Sequence, residues 1–228
     1  MSDKAIWYLE NIDVGGILCP KKMDQHMDNH SVKTIAKDDY VYLPDESSDK
    51  IYFINKGRIK IGSLNEGGKE ITKAILGKGE VFGELAMLGE SKRRDYALAL
   101  EDTDLCVISS SEMKDLIKDH SSLSMFFMKL MGSKVIEMEN RLESLVFKDS
   151  RSRIIEYLAD LVHKRGQRVG YEWVVRQFIT HQEIANLTAT SRQTVTTVLN
   201  ELRNEEILTF NRKRLLVRDL DKLQNEIK

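Results

Sequence analysis

From Ser111 to Phe147 the chain has no proline and a single glycine, Gly132, and its apolar residues fall in one narrow register. Met128, Met131, Val135, Met138, Leu142 and Leu145 stand at spacings of 3, 4, 3, 4 and 3. A mean period of 3.5 is that of a seam along a helix that winds against another helix. A helix packed on its own domain follows the straight-helix period of about 3.6 and drifts off such a seam. Charged residues flank the stripe: Lys134, Glu137, Glu139, Arg141 and Glu143. The spacing predicts a long helix and favours pairing of two copies along it. Packing against the chain's own body is the other reading of the same spacing.

The residues before this helix have a different punctuation. Both prolines, Pro20 and Pro44, lie there, and glycines cluster between Gly57 and Gly89. They separate short runs rich in β-branched and aromatic residues: Lys50–Asn55, Gly57–Gly62 and Glu70–Leu76. Arg58–Ile61 and Lys69–Ile75 alternate as half-buried strands do, and Asn65–Gly68 between them is a turn signal. Strands at this spacing predict a β-sandwich or barrel over residues 30–110, preceded by helical segments within residues 5–30. The fold class expected is α+β.

The residues after the long helix carry the most specific pattern. Arg151–Val162 reads as a helix with Ile154, Ile155, Leu158, Leu161 and Val162 on one side, and Lys164–Arg168 as a basic loop. Thr180 followed by Glu183 is a capping box, and a second helix start follows at Ser191. Thr188-Ala189-Thr190 between them has the length of a helix-turn-helix turn. Ile184, Ala185, Leu187, Val195, Val198, Leu199 and Leu202 supply the buried faces. Ile207–Phe210 and Leu215–Val217 then flank Asn211-Arg212-Lys213-Arg214, a hairpin with a basic tip. A winged helix-turn-helix is predicted, with polar residues of its second helix placed to enter a major groove.

Charge agrees with this division. The 228 residues carry 35 Lys+Arg against 36 Asp+Glu, a balance that argues against a general polyanion binder. Residues 151–228 hold 14 Lys+Arg against 10 Asp+Glu, and residues 1–150 hold 21 against 26, so the basic excess sits with the helix-turn-helix. The chain has no apolar stretch of the length a membrane span needs, and Met1–Trp7 lacks the apolar core of a secretory leader. A cytoplasmic protein with no membrane association is expected. Cys19 and Cys106 do not make a disulfide framework. Cys106, in an apolar run, is expected in the core, and Cys19 in a loop. The histidines, His26, His30, His120, His163 and His181, are scattered, and no metal site is expected. A cupin-like enzyme would need histidine ligands inside the barrel, and none occurs between residues 31 and 110. No catalytic residue is assigned.

In the order of its parts the chain resembles the CRP/FNR family of bacterial transcription regulators. The motifs that carry the resemblance are Ile51–Gly57, Gly79–Leu85 and Thr180–Leu202, and it extends over about residues 20–220. It implies a cyclic-nucleotide-binding-type β-barrel (jelly roll) in residues 1–110, a long dimerisation helix and hinge in 111–149, and a winged helix-turn-helix DNA-binding domain in 150–228. The partners implied are a second copy of the chain, palindromic double-stranded DNA, and RNA polymerase, met through a loop at Lys164–Gly170.

The resemblance also locates a ligand site and puts it in doubt. In nucleotide-binding members a Gly-Glu-Leu opens the phosphate cassette, and here Gly83, Glu84 and Leu85 match it. Arg94, eleven residues after Gly83, stands for the family's arginine, but Asp95 follows where Ser or Thr is found, and Tyr96 replaces a small residue. A carboxylate there repels a phosphodiester. Met138 and Glu139 stand where adenine contacts are implied. The expectation is an effector other than cAMP and no cofactor, with Asp95 pairing with Arg93 or Arg94 to fill the site. A cyclic-nucleotide response, and a regulatory protein with a degenerate DNA domain, are the alternatives.

On the recognition helix the resemblance keeps Arg192 but places Gln193 and Thr197 where the family has Glu and Arg. Arginine suits guanine and glutamine suits adenine, so the family's familiar half-sites do not transfer. Ser191, Thr194 and Thr196 are candidates for phosphate or thymine-methyl contacts. Thr180, His181 and Gln182 are phosphate candidates at the start of the first helix, and Arg212, Lys213 and Arg214 from the wing.

Overall fold

The computed structural model describes residues 31–65, 67–68 and 70–227. The helical segments expected within residues 5–30, with Cys19, His26 and His30, lie outside the described residues. The chain divides into two compact units, one through Lys134 and one from Val135 onward.

In the first unit eight strands run β1 Ser31–Ile35, β2 Tyr40–Tyr42, β3 Lys50–Lys56, β4 Ile59–Leu64, β5 Glu70–Leu76, β6 Val81–Phe82, β7 Tyr96–Ala99 and β8 Thr103–Ser109. They form two four-stranded antiparallel sheets, β1-β8-β3-β6 and β2-β7-β4-β5. The sheets are not closed into a ring but face each other as a jelly roll. Tyr52, Ile54, Phe82 and Leu105 from one sheet meet Tyr42, Ile59, Ile61, Ala97 and Ala99 from the other.

Side chains alternate along a strand, and β3 is buried on both faces. Tyr52 and Ile54 face the other sheet, while Ile51 and Phe53 face outward onto helices. That double burial is why its sequence reads as an unbroken apolar run. The covering helices are α1 Ser110–Asp119 and the first part of α2 Ser121–Phe147. Met113, Leu123, Phe126 and Leu130 pack there with Cys106 and Ile108. Cys106 is thus in the core, as expected.

The helical stretch from Ser111 is two helices, not one. His120 takes an extended conformation (φ −129°, ψ 92°) and ends α1. Asp119, His120, Ser121 and Ser122 are poor helix formers, and their polar side chains compete for the backbone.

The second unit holds α3 Ser150–Arg165, β9 Gln167–Val169, β10 Glu172–Arg176, α4 His181–Leu187, α5 Arg192–Asn204, β11 Leu208–Phe210, β12 Arg214–Val217 and α6 Leu220–Asn225. The strands form one sheet, β11-β12-β10-β9. Ile154, Ile155, Leu158, Ile184, Ala185, Val195, Leu199, Leu202, Leu215 and Val217 are buried. The basic loop expected at Lys164–Arg168 is corrected: α3 continues to Arg165, and Gln167 already belongs to β9. Gly166 makes the change of direction possible. Its amide donates to Val162 O at 2.7 Å, and a Cβ there would stand 2.3 Å from that oxygen.

Candidate functional site

The sensor-side candidates gather around the segment between β6 and β7. Gly83 has φ +75°, which glycine tolerates, and opens a short 3₁₀ turn, Glu84–Leu88. Glu84 is buried at 8% exposure, whereas Leu85 is partly exposed at 39%. The Glu84 carboxylate meets Lys134 Nζ from α2 at 2.6 Å. The buried carboxylate of the Gly-Glu-Leu motif therefore already has a cationic partner.

The arginine buried beside Gly83 is Arg93, whereas Arg94 is exposed. Arg93 exchanges backbone hydrogen bonds with the segment before β3: its amide donates to Glu46 O at 2.8 Å, and its carbonyl accepts from Asp45 N at 2.9 Å. Arg94 and Asp95 form a bend before β7, and at this break in the strand pattern the Arg93 side chain turns inward and that of Arg94 outward. Arg93 is 5% exposed. Arg94 sits in solvent and pairs with Glu90. The Arg93 guanidinium donates to Lys50 O at 2.6 Å and to Gly83 O at 3.2 Å. It lies 4.5 Å from the ring centre of Tyr42 and 5.7 Å from that of Tyr52. Phe82 stacks on Tyr52 at 4.8 Å.

Asp95 pairs with neither arginine. It accepts from the Tyr42 hydroxyl at 3.3 Å and from Lys73 Nζ at 3.3 Å. Burial first, then the Asp95 charge, push the Tyr42 phenol well above its ordinary range. Tyr96 is buried, and its hydroxyl bonds to Glu70, which Lys60 also holds at 2.6 Å. Gly62 leaves room for it, because a Cβ there would stand 2.3 Å from the Tyr96 oxygen. Met138, the last ligand candidate, belongs to the other unit and is 71% exposed. Reasoning from sequence named Arg93 as a group that could fill the site but missed Tyr42, Tyr52, Lys73 and Lys134 around it. Two-residue alternation counted back from the buried Tyr96 points to Arg94, so the inward turn of Arg93 was not legible in the sequence.

On the other unit the Thr180 side chain accepts from Glu183 N at 3.2 Å, and Glu183 returns the bond to Thr180 N at 2.8 Å. In the turn, Thr188 Oγ1 donates to Ile184 O at 2.8 Å, and Ala189 takes φ +50°. Ser191 caps α5 by accepting from Thr194 N at 3.0 Å. With Val195, Val198, Leu199 and Leu202 buried, the helix turns Arg192, Gln193 and Thr197 outward. Ser191, Thr194 and Thr196 spend their hydroxyls locally: Ser191 with Thr194 at 2.8 Å, Thr196 on Arg192 O at 2.9 Å.

His181 is more tied down than its sequence position suggests. Its Nδ1 lies 2.9 Å from Thr196 Oγ1. Because that hydroxyl donates to Arg192 O, it accepts here, which assigns the proton to Nδ1. Phe210 packs edge-on against the ring at 5.5 Å. Burial, and then Arg192, hold the imidazole pKa below its ordinary value. Gln182 donates to Asn186 at 2.9 Å. At the wing tip Asn211 Oδ1 accepts from Lys213 N at 2.8 Å and Arg214 N at 3.0 Å, leaving the Arg212, Lys213 and Arg214 side chains exposed.

Comparison with known proteins places both halves. Residues 32–120 match the profile of the cyclic nucleotide-binding domain, and residues 152–226 that of the Crp-like helix-turn-helix domain. The chain belongs to the CRP/FNR family of transcription regulators. It is 28% identical over 188 residues to the global nitrogen regulator of a Nostoc species, covering 82% of this chain and 84% of that protein. It is 27% identical over 202 residues to the cyclic AMP receptor protein of Thermus thermophilus, covering 89% and 90%. The solved structure of FixK2 from Bradyrhizobium japonicum shares the fold, with a TM-score of 0.76 at 19% identity over 86% of this chain and 96% of that one. CRP/FNR proteins are DNA-binding transcription regulators, not enzymes. Among the described residues no helix is long and apolar enough to cross a membrane.

Proposed function

We propose that this CRP/FNR regulator acts in the cytoplasm as a homodimer on palindromic duplex DNA, without a cyclic nucleotide, and meets RNA polymerase once bound. The observation that carries the dimer is the outward face of α2. Val135, Met138, Leu142 and Leu145 are 54%, 71%, 63% and 43% exposed, with Ile136 and Val146 beside them. A monomer rarely leaves so continuous an apolar stripe in water, and its 3.5-residue period fits a second copy of the same helix. In this reading Arg192, Gln193 and Thr197 address base edges. Thr180, His181, Gln182, Ser191, Thr194, Thr196, Arg212 and Lys213 meet the backbone.

The barrel supports a nucleotide-independent reading. Glu84 is neutralised by Lys134, Arg93 is held by two carbonyls and lies over two tyrosine rings, and Asp95 adds a negative charge. A cyclic nucleotide would have to break the ion pair and draw out a buried guanidinium.

The test is a selection from random duplex DNA with the full-length protein, with and without cAMP and cGMP. The expected result is a palindrome with half-sites about 10 base pairs apart, enriched equally in every arm. Enrichment only with a nucleotide would refute the self-filled barrel. No enrichment would indicate a degenerate DNA domain.

A further inference from the structure

The second half of α2 carries two stripes, and only one of them faces solvent. From Val135 to Phe147 every residue is exposed except Arg141 and Ser144. These two belong to a polar row, Glu137, Arg141, Ser144 and Lys148, spaced 4, 3 and 4. That row lies about one residue around the helix from the apolar seam.

Each member of the row contacts the DNA-binding part of the same unit. Glu137 meets Lys164 at 3.1 Å. Arg141 donates to Leu187 O at 2.9 Å. Ser144 and Lys148 both donate to Glu156 on α3, Lys148 at 2.5 Å. Arg153 on α3 completes the set. It donates to Lys148 O at 2.8 Å, where the long helix ends, and to Thr188 O at 2.9 Å and Ala189 O at 3.2 Å.

Leu187 is the last residue of α4, and Thr188 and Ala189 begin the turn between the two helices of the helix-turn-helix. Carbonyls at a helix end lack intrahelical partners and carry partial negative charge, so guanidinium donors are strong partners for them. Ala189 holds a left-handed backbone at φ +50°, unfavourable for a residue with a Cβ. Arg141 grips the turn on one side of that residue and Arg153 grips it on both.

We propose that Arg141 and Arg153 are positioning residues for DNA recognition. They fasten the helix-turn-helix turn to the long helix, so that the long helix sets the pose of α5 and thereby the half-site spacing the protein accepts. The junction at Lys148–Asp149 is then a fixed corner and not a free hinge. Neither arginine needs to touch DNA. This inference rests on the dimeric DNA-binding reading above.

The test uses the full-length protein and the duplex it selects, with the centre of the site lengthened or shortened by one to three base pairs. The readout is the ratio of affinities for native and altered spacing within each variant, so a uniform loss of binding cancels. The wild-type protein is expected to lose affinity steeply with each step, since every base pair turns and shifts one half-site against the other. Arg141→Ala and Arg153→Ala are expected to lower that ratio at least fivefold. Arg141→Lys, which keeps a donor, is expected to recover most of it. Should Arg141→Ala fail to fold, the comparison of Arg141→Lys with Arg141→Gln asks the same question. Folded variants that discriminate spacing as the wild type does would overturn the inference alone. A wild-type protein indifferent to spacing would overturn it together with the dimeric reading.

Discussion

Replacing Arg93 tests whether the barrel is filled by its own side chain. The guanidinium makes two hydrogen bonds to carbonyls, Lys50 O at 2.6 Å and Gly83 O at 3.2 Å, and lies over two tyrosine rings. Hydrogen bonds from a charged donor contribute roughly 1.5–3 kcal/mol each, and a partly desolvated cation–π contact about 1–2 kcal/mol. Against these stands the cost of burying the charge, several kcal/mol, and Arg93 Nε is buried with no partner. Arg93→Ala removes both sides of this balance but also opens a hole beside Tyr42 and Tyr52 and strands two carbonyls. Its expected net loss is about 2–3 kcal/mol. For a unit of this size that lowers the melting temperature by on the order of 10 °C. Arg93→Met fills the hole without the charge, so it separates cavity from polar contributions and is expected to lose about half as much. Scanning calorimetry of the full chain gives the measurement. An Arg93→Ala protein that melts within a degree or two of wild type would mean that the guanidinium is not seated over the rings, and the self-filled barrel would fall with it.

Other substitutions test the remaining assignments. Arg192→Ala is expected to weaken specific binding by roughly 1–3 kcal/mol and relax one position of the selected motif; an unchanged motif and affinity would refute its base contact. Lys213→Ala is expected to weaken all duplexes alike and to lower the salt slope by about one, read from binding isotherms across a salt series. Gly62→Ala puts a methyl group against the Tyr96 oxygen and is expected to destabilise the first unit by about 1–3 kcal/mol in the same calorimetric scan. His181 is held neutral by burial and by Arg192, so the folded state binds its proton less readily than the unfolded chain does. Its contribution to stability is complete above the ordinary histidine pKa and declines as pH falls below it. Urea midpoints between pH 7 and pH 5 should therefore fall less in His181→Gln than in wild type.

The parts of this protein that the sequence reveals are those where periodicity and local backbone chemistry decide the outcome. The α2 seam, the capping box at Thr180, the Asn211 wing turn and the buried strand β3 each follow from neighbours a few residues apart. The interior of the barrel does not. Whether Arg93 or Arg94 turns inward depends on pairing with Asp45 and Glu46, nearly fifty residues earlier in the chain, and a shift by one residue exchanges the two faces. The Glu84–Lys134 pair likewise joins residues 50 apart in sequence. Resemblance to nucleotide-binding relatives draws attention to Gly83, Glu84, Leu85 and Arg94, and does not show that Arg93 is the arginine buried beside them. It identifies the acceptor groups of a ligand site without showing what already occupies them. Lys134 has the same limit: it reads as a charged flank of the seam, and only the packing of α2 against the barrel turns it toward the Glu84 carboxylate. One lysine on a long helix thereby neutralises a carboxylate that, read from sequence alone, has no partner.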